Sequence, residues 1–407
     1  MKKYILLIVL LFSLLTNSFA QKTAEDFYNL GVDKYDKGDY KEALKNYDKA
    51  IKLLPNYVKA LNNRGATKAA LKDYKGAIVD YSSAISLKPD YATAYNNRGI
   101  AKHNLEDEKA AIDDYNKAIQ YKPEYAEAYF NRGLSRDNLD LHDIAIDDYN
   151  KAIQYRTGYV EAYYNMAIVY KEIKKYDSAV INYSKAISFR PTYAKAYNGR
   201  GVAKKELEDY KGAMSDYDSA LILKPDYYIV YNNKGILKDE MKDYLAAVDD
   251  YNSALKLKPD YEEVYYNRGI AKRKLGDVKG AIEDYDKAIK LDPKDASAYN
   301  NRGFAKDQLE DYQGAIKDYT LAIQYKADYV TAYNNRGIAK RKLGDFNGAI
   351  ADYTKSIEIN PNSADAYNNR GYVKYKLGDT SAACVDWKKG MELGDKIATD
   401  NYTKFCK

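Results

Sequence analysis

Residues 94–102 read AYNNRGIAK, and residues 332–340 read AYNNRGIAK again. The copies lie a whole multiple of 34 residues apart, and stepping through the chain by 34 lines up whole columns of residue types. The glycine recurs at Gly31, Gly65, Gly99, Gly133, Gly201, Gly235, Gly269, Gly303, Gly337 and Gly371, with Ala167 in the one gap. An alanine follows twelve residues after each, from Ala43 to Ala383, and an aromatic four beyond that, from Tyr47 to Trp387. Pro55, Pro89, Pro123, Pro191, Pro225, Pro259, Pro293 and Pro361 close most repeats, while Thr157 and Ala327 stand in for the proline twice. Unrelated residue types agreeing at one period mark an array in which each repeat can bury its apolar face only against its neighbour.

The columns resemble the tetratricopeptide repeat, which places an aromatic, a leucine, a glycine, an alanine, a second aromatic and a proline at these offsets. The resemblance covers residues 24–397 as eleven repeats (24–57, 58–91, 92–125, 126–159, 160–193, 194–227, 228–261, 262–295, 296–329, 330–363 and 364–397). It implies an all-α fold, a right-handed superhelical solenoid of helix-turn-helix repeats. One departure is that the family's leucine is Arg or Lys in nine repeats. Counting positions from the first residue of each repeat, the two helices are expected over about 2–14 and 18–31, with an aspartate such as Asp73 or Asp209 capping the second. Small residues at positions 8, 20 and 27 let the helices approach while the position-24 tyrosine fills the space beside them. The last repeat is irregular at Thr380, Trp387 and Gly390. A final helix, about Lys396 to Phe405, is expected to cap the stack, with 398–407 as its C-terminal part.

Residues 1–20, MKKYILLIVLLFSLLTNSFA, combine two lysines, an apolar run and small residues before Gln21, the pattern of a secretory signal peptide, with 21–23 as a short lead. Export to the periplasm or exterior of a bacterial cell is therefore expected. The run is shorter than the roughly 20 residues a spanning helix needs. Losing Lys2 and Lys3 takes the formal charge from +6 to +4, too little to argue for nucleic acid. Cys384 and Cys406 are the two cysteines, so a disulfide is available between them and nowhere else. Tyrosine outnumbers phenylalanine 46 to 8, which suits aromatic positions shared between packing and water.

Successive helix residues turn by about 100°, so positions 7 and 8 face the second helix while 2, 6, 9 and 13 face the other way. Position 7 is Arg64, Arg98, Arg132, Arg200, Arg268, Arg302, Arg336 or Arg370, with Lys234 in a ninth repeat. In those nine repeats position 23 is aspartate, and where Leu30 and Met166 replace the base, Asn46 and Asn182 replace the acid. Base and acid vary together, as a buried pair requires. Structural pairing is thus expected for Arg98 with Asp114, Arg132 with Asp148, Arg268 with Asp284, Arg302 with Asp318 and Arg336 with Asp352, rather than a phosphate-binding stripe.

Position 6 is asparagine at Asn29, Asn63, Asn97, Asn131, Asn165, Asn233, Asn267, Asn301, Asn335 and Asn369, missing only at Gly199. Each forgoes roughly 0.7 kcal/mol of helix propensity against alanine, so something should offset it. The array is similar to the superhelix of O-GlcNAc transferases, and the resemblance implies a concave asparagine ladder that holds an extended peptide by its backbone, the amide offering both donors and an acceptor. An apolar stripe at position 9, including Ile100, Ile168 and Phe304, runs beside it. Near-identical repeats leave open that the asparagines are copies of one duplication, or bond to the adjacent repeat. Arg273, Lys274, Arg341 and Lys342 give a basic groove in the C-terminal repeats, matched to an acidic segment. An alternative is a carbohydrate-binding scaffold in which Tyr28, Tyr164 and Tyr266 stack on sugar rings.

The lysine-and-asparagine clamp of chaperone-binding relatives is missing. His103 and His142 fall at different positions in neighbouring repeats and read as surface substitutions, and no metal set is expected. Adjacent acids such as Asp113 and Asp114 read as a solvated face. The expectation is a non-enzymatic scaffold for a protein or peptide partner in a cell-envelope complex, with no cofactor.

Overall fold

The structure, a computed structural model, describes residues 22–406, so the signal-peptide segment 1–20 lies outside the described residues. Those residues form 23 α-helices and no strand. The chain divides after Leu207 into two compact halves. The N-terminal half contains α1 (Ala24–Asp36), α2 (Tyr40–Leu53), α3 (Val58–Ala70), α4 (Tyr74–Leu87), α5 (Ala92–His103), α6 (Glu108–Tyr121), α7 (Ala126–Asp137), α8 (His142–Tyr155), α9 (Val160–Glu172), α10 (Tyr176–Phe189) and α11 (Ala194–Glu206). The C-terminal half contains α12 (Tyr210–Leu223), α13 (Tyr228–Glu240), α14 (Tyr244–Leu257), α15 (Glu262–Lys274), α16 (Val278–Leu291), α17 (Ala296–Gln308), α18 (Tyr312–Tyr325), α19 (Val330–Lys342), α20 (Phe346–Ile359), α21 (Ala364–Lys376), α22 (Thr380–Glu392) and α23 (Lys396–Phe405). Within each half, every helix packs on its neighbours in sequence, as a helical repeat solenoid.

In each repeat the two helices begin one residue earlier than the column pattern predicts, at positions 1 and 17, and the second is capped from position 16. Asp73 accepts from the Gly76 N–H at 2.9 Å and Asp209 from the Gly212 N–H at the same distance, so helix geometry starts at the next residue. Leu141 and Lys175 occupy this place in the fourth and fifth repeats and make no such cap. The residue before the cap is left-handed: Gly38, Gly276, Gly344 and Gly378 supply it freely, whereas Lys72, Glu106, Asp140, Lys174, Glu208, Lys242 and Glu310 adopt it with φ between 59° and 65°. A side chain there costs about 1–2 kcal/mol, a strain held by the helix packing on either side.

The core is a column of alanines and position-24 tyrosines. Tyr47, Tyr115, Tyr217 and Tyr353 are fully buried beside Ala43, Ala111, Ala213 and Ala349. Glycine at position 8 is needed for this approach: a Cβ on Gly99 would lie 2.6 Å from Tyr115 Cε1. The fifth repeat solves the same problem differently. Ala167 has the Cβ that the other repeats lack, and the Tyr183 ring lies instead against the next repeat, where a Cβ on Gly199 would sit 2.5 Å from its Cζ. The missing ladder residue at 199 is therefore the steric complement of Ala167. At the C-terminus, Gly390 takes a place that holds alanine or serine in the other repeats, and a Cβ there would lie 2.7 Å from that of Ala398 on α23. Trp387 is buried under α23 with Tyr375 and Phe405, and its indole N–H donates to the Asn368 carbonyl at 3.3 Å.

Candidate functional site

The position-7 arginines face inward. Arg98 donates from Nε and Nη2 to both oxygens of Asp114, at 2.9 and 2.7 Å, and the same fork joins Arg132 to Asp148, Arg268 to Asp284, Arg302 to Asp318 and Arg336 to Asp352. The planar guanidinium matches the carboxylate in two parallel bonds. Its third nitrogen reaches the second helix of the preceding repeat: Arg98 Nη1 to Ser82, Arg132 Nη1 to Asn116, Arg302 Nη1 to Asp286. Each arginine thus ties three helices. A second base at position 11 also meets the acid, as Lys102 does Asp114 at 2.7 Å and Lys306 does Asp318 at 2.8 Å. Sequence reasoning missed this base, although the same column comparison shows it, with Tyr170 replacing it in the fifth repeat. Lys234 cannot make the fork. It pairs with Asp218 while Lys238 alone meets Asp250, and burial pushes that carboxyl above its ordinary range.

On the opposite side of each first helix, the twin asparagines form a relay between repeats. The position-6 Nδ2 donates to the position-5 side chain one repeat earlier: Asn97 to Asn62, Asn131 to Asn96, Asn267 to Asn232, Asn335 to Asn300 and Asn369 to Asn334, at 3.0 to 3.4 Å. Where position 5 is tyrosine the phenol oxygen accepts, from Asn63 at Tyr28 and from Asn301 at Tyr266. Phe130 has no acceptor, and Asn165 turns to the Glu161 carbonyl of its own helix. Asn29 is exposed in the first repeat and Asn233 half-buried on α13. Asn401 on α23 continues the relay by donating to Asn368. One donor of each relay amide is therefore spent on the joint. The Oδ1 atoms of Asn97, Asn131, Asn267, Asn301, Asn335 and Asn369 accept no bond among the described residues and are not sealed from solvent.

Two expectations need correction. The basic groove is half neutralised: Lys274 pairs with Asp239 at 2.6 Å and Lys342 with Asp307 at 2.8 Å, while Arg273 and Arg341 keep their charge and lie over the rings of Phe304 and Tyr372. The acids come from the preceding repeat, 35 residues away, a spacing that a count within one repeat does not see. The proposed sugar platforms are also consumed in packing. Tyr28 lies against Tyr47 and Tyr57, Tyr164 against Tyr183 and Tyr193, and Tyr266 against Tyr285. Free space beside the relay occurs instead in the first three repeats. A cavity of about 270 Å³ is lined by Val32, Tyr35, Asp36, Tyr47, Asn62, Asn63, Ala66 and Asn97. Ala66 opens it, being the smallest residue in the position-9 stripe.

The family described as TPR repeat matches residues 31–72, 68–106, 107–136, 240–276, 271–309 and 339–378. Further tetratricopeptide-repeat matches fall at 160–193, 126–158 and 296–329. The chain belongs to the tetratricopeptide-repeat family. A comparison with curated proteins gives no match. Among solved structures it is similar to the Cut9–Hcn1 hetero-tetramer of APC/C (13% identity, 96% of this chain and 98% of that one, TM-score 0.50). It is also similar to a tetratricopeptide repeat protein from Parabacteroides merdae (20%, 61% and 99%, TM-score 0.48) and to yeast Tom70 (16%, 92% and 93%, TM-score 0.45). At these identities the likeness is one of fold. Tetratricopeptide arrays are protein-interaction scaffolds, and no described helix is long and apolar enough to cross a membrane.

The remaining residues singled out in this tetratricopeptide array are placed as follows. Cys384 on α22 and Cys406 after α23 are joined in a disulfide, with their Cα atoms 5.6 Å apart. The histidines are not lone surface substitutions. His103 lies 2.9 Å from buried Glu108, which also accepts from Asn138 at 2.7 Å. Burial opposes the charge on Glu108, but bonds from Ser135, Asn138 and His103 hold its carboxyl below the usual value. His142 lies 3.0 Å from Asp137. Such partners come from different helices or adjoining repeats, so spacing along one helix conceals them.

Proposed function

We propose that this tetratricopeptide array is an exported, non-enzymatic scaffold that holds an extended protein segment along its asparagine-bearing face, within a cell-envelope complex. The observation that carries the reading is the cavity of about 270 Å³ beside Asn63 and Asn97. It joins an apolar recess at Val32 and Ala66 to the Asn97 amide, whose oxygen and second N–H remain after its inter-repeat bond, while the Asn63 oxygen accepts from Asn62. A side chain of the segment enters the recess while the free amide positions meet its backbone. Export rests on residues 1–20, and the Cys384–Cys406 disulfide is in keeping with an oxidising compartment.

A random peptide library panned on the purified chain tests this, with affinities of the recovered peptides measured by fluorescence polarisation. Ala66→Leu fills the recess and should weaken binding at least about tenfold, an effect of 1.4 kcal/mol, without lowering the melting temperature. Recovered peptides that bind Ala66→Leu as well as the original chain, or a library that yields no binder, would refute the reading.

A further inference from the structure

One locus recurs along the array where three helix ends converge: position 12 at the end of a first helix, position 17 at the start of the second, and position 13 of the next repeat. In the third repeat it holds His103, Glu108 and Asn138, and the single carboxylate lies against His103 and accepts from Asn138. In the seventh and ninth repeats Asp239 and Asp307 occupy it, and Lys274 and Lys342 bring an ammonium to each, seated over the rings of Tyr244 and Tyr312. In the fourth repeat the same three places hold Asp137 at the end of α7, His142 at the start of α8 and Glu172 at the end of α9. One ligand atom from each lies within 4.8 Å of the others. Where two sister repeats present a lysine, this one presents a second carboxylate.

Three further observations bear on that locus. Tyr149 is fully buried and its hydroxyl has no hydrogen-bond partner. Burial first, then the charges of Asp137, Asp148 and Glu172, push its pKa upward. Asp148 is already held by Arg132 and Arg136. Finally, the joint between the fourth and fifth repeats lacks both polar ties used at the three preceding joints. Met166 replaces the arginine that would reach back to the preceding second helix, and Asn165 finds no acceptor at Phe130. The cluster spans that joint.

We propose that Asp137, His142 and Glu172 bind a divalent transition-metal ion of the zinc class, tying the fourth repeat to the fifth. One imidazole nitrogen and two carboxylate oxygens form a donor set suited to such an ion, at about 2.0–2.2 Å after small side-chain rotations, and three protein donors leave room for water. Magnesium and calcium prefer all-oxygen sets, so the imidazole disfavours them. The ion's two positive charges balance the two carboxylates, as the lysines do for single acids elsewhere.

The test is Zn²⁺ titration of the untagged full chain by calorimetry and chelator competition, with Co²⁺ absorption as a second readout. One equivalent should bind. His142→Ala and Glu172→Lys should each weaken binding at least about a hundredfold, while His103→Ala should leave it unchanged. Glu172→Lys recreates the Asp239–Lys274 arrangement, so it should fold as judged by circular dichroism; Glu172→Gln serves if it does not. Zn²⁺ should raise the melting temperature of the original chain and not that of His142→Ala. Absence of uptake, or equal uptake by His142→Ala and Glu172→Lys, would overturn the site. So would a His142 ring that stays positively charged at neutral pH by NMR without taking up metal, since the imidazolium would then balance the acids itself.

Discussion

Replacing Arg98 by Met should cost more alone than with its partners replaced as well. Asp114 is 3% exposed and receives two bonds from Arg98 and one from Lys102. Breaking a buried pair by removing one partner costs about 3–5 kcal/mol, but Lys102 still compensates the acid, so about 2–3 is expected for Arg98→Met. Asp114→Asn leaves two cations whose side chains are only about one-fifth exposed, and should cost about 2 kcal/mol by loss of charge-assisted bonds. The fifth repeat shows how a neutral version is built: Met166 and Asn182 replace base and acid, Asn182 bonds the Ser178 carbonyl at 2.9 Å, and Tyr170 stands where Lys102 does. Arg98→Met with Asp114→Asn should therefore cost about 1–2 kcal/mol, a coupling of about 2–4, and adding Lys102→Tyr should recover more. Long repeat arrays need not unfold in two states. The assay is therefore hydrogen exchange over α5 and α6, read beside the urea midpoint. A double change as damaging as the sum of the singles, within about 0.5 kcal/mol, would refute the pairing account.

Gly199→Asn, which restores the asparagine column, should destabilise α10 and α11 by driving a Cβ into Tyr183; Ala167→Gly in the same chain should rescue it, and a single mutant that melts no lower than the original would contradict the steric account. Burial, then Asp295, Asp292 and Glu263, push Glu262 up to about 7 from an unfolded value of 4.5. The folded state thus holds that proton more tightly, and the Glu262 contribution to stability is full below pH 4.5 and falls as pH rises to about 7. Glu262→Gln should flatten that part of a urea-midpoint profile, and an unchanged slope would show that the residue does not titrate there.

The array was legible because its period repeats eleven times, so each column averages out local accident. Position 7 and position 23 could be matched by eye because the fifth repeat departs in both at once. Two kinds of feature escaped. Contacts between repeats, such as Asn97 with Asn62 or Lys274 with Asp239, link different columns 35 residues apart, and no single-helix periodicity reveals them. Features of one repeat escaped for the opposite reason. Ala66, Gly199 and His142 are departures from their columns, and a departure reads as noise until the structure shows what lies opposite it.

The relay changes what the asparagine column can mean. Ten asparagines in helix interiors were hard to justify as helix formers, and recognition of a peptide was one offset. The structure supplies another that needs no ligand, since each relay amide donates across a joint and Asn165 loses that bond where Phe130 removes the acceptor. Binding and joint-making use different atoms, however. The joint takes one N–H, and the oxygen with the second N–H remains for a partner. A protein that needed only the joint could use a serine or a glutamine. An asparagine is short enough to stay at the helix surface and still carries three hydrogen-bonding positions, enough for the joint and for the proposed contact with a peptide. The two tasks separate experimentally at Asn131 and Asn96. Asn96→Ala removes the acceptor but leaves the outward amide of Asn131, so it should lower stability by about 1 kcal/mol while peptide affinity holds. Asn131→Ala should lose both. Equal loss of affinity in the two variants would mean that the amides act on a ligand only by holding the repeats in place.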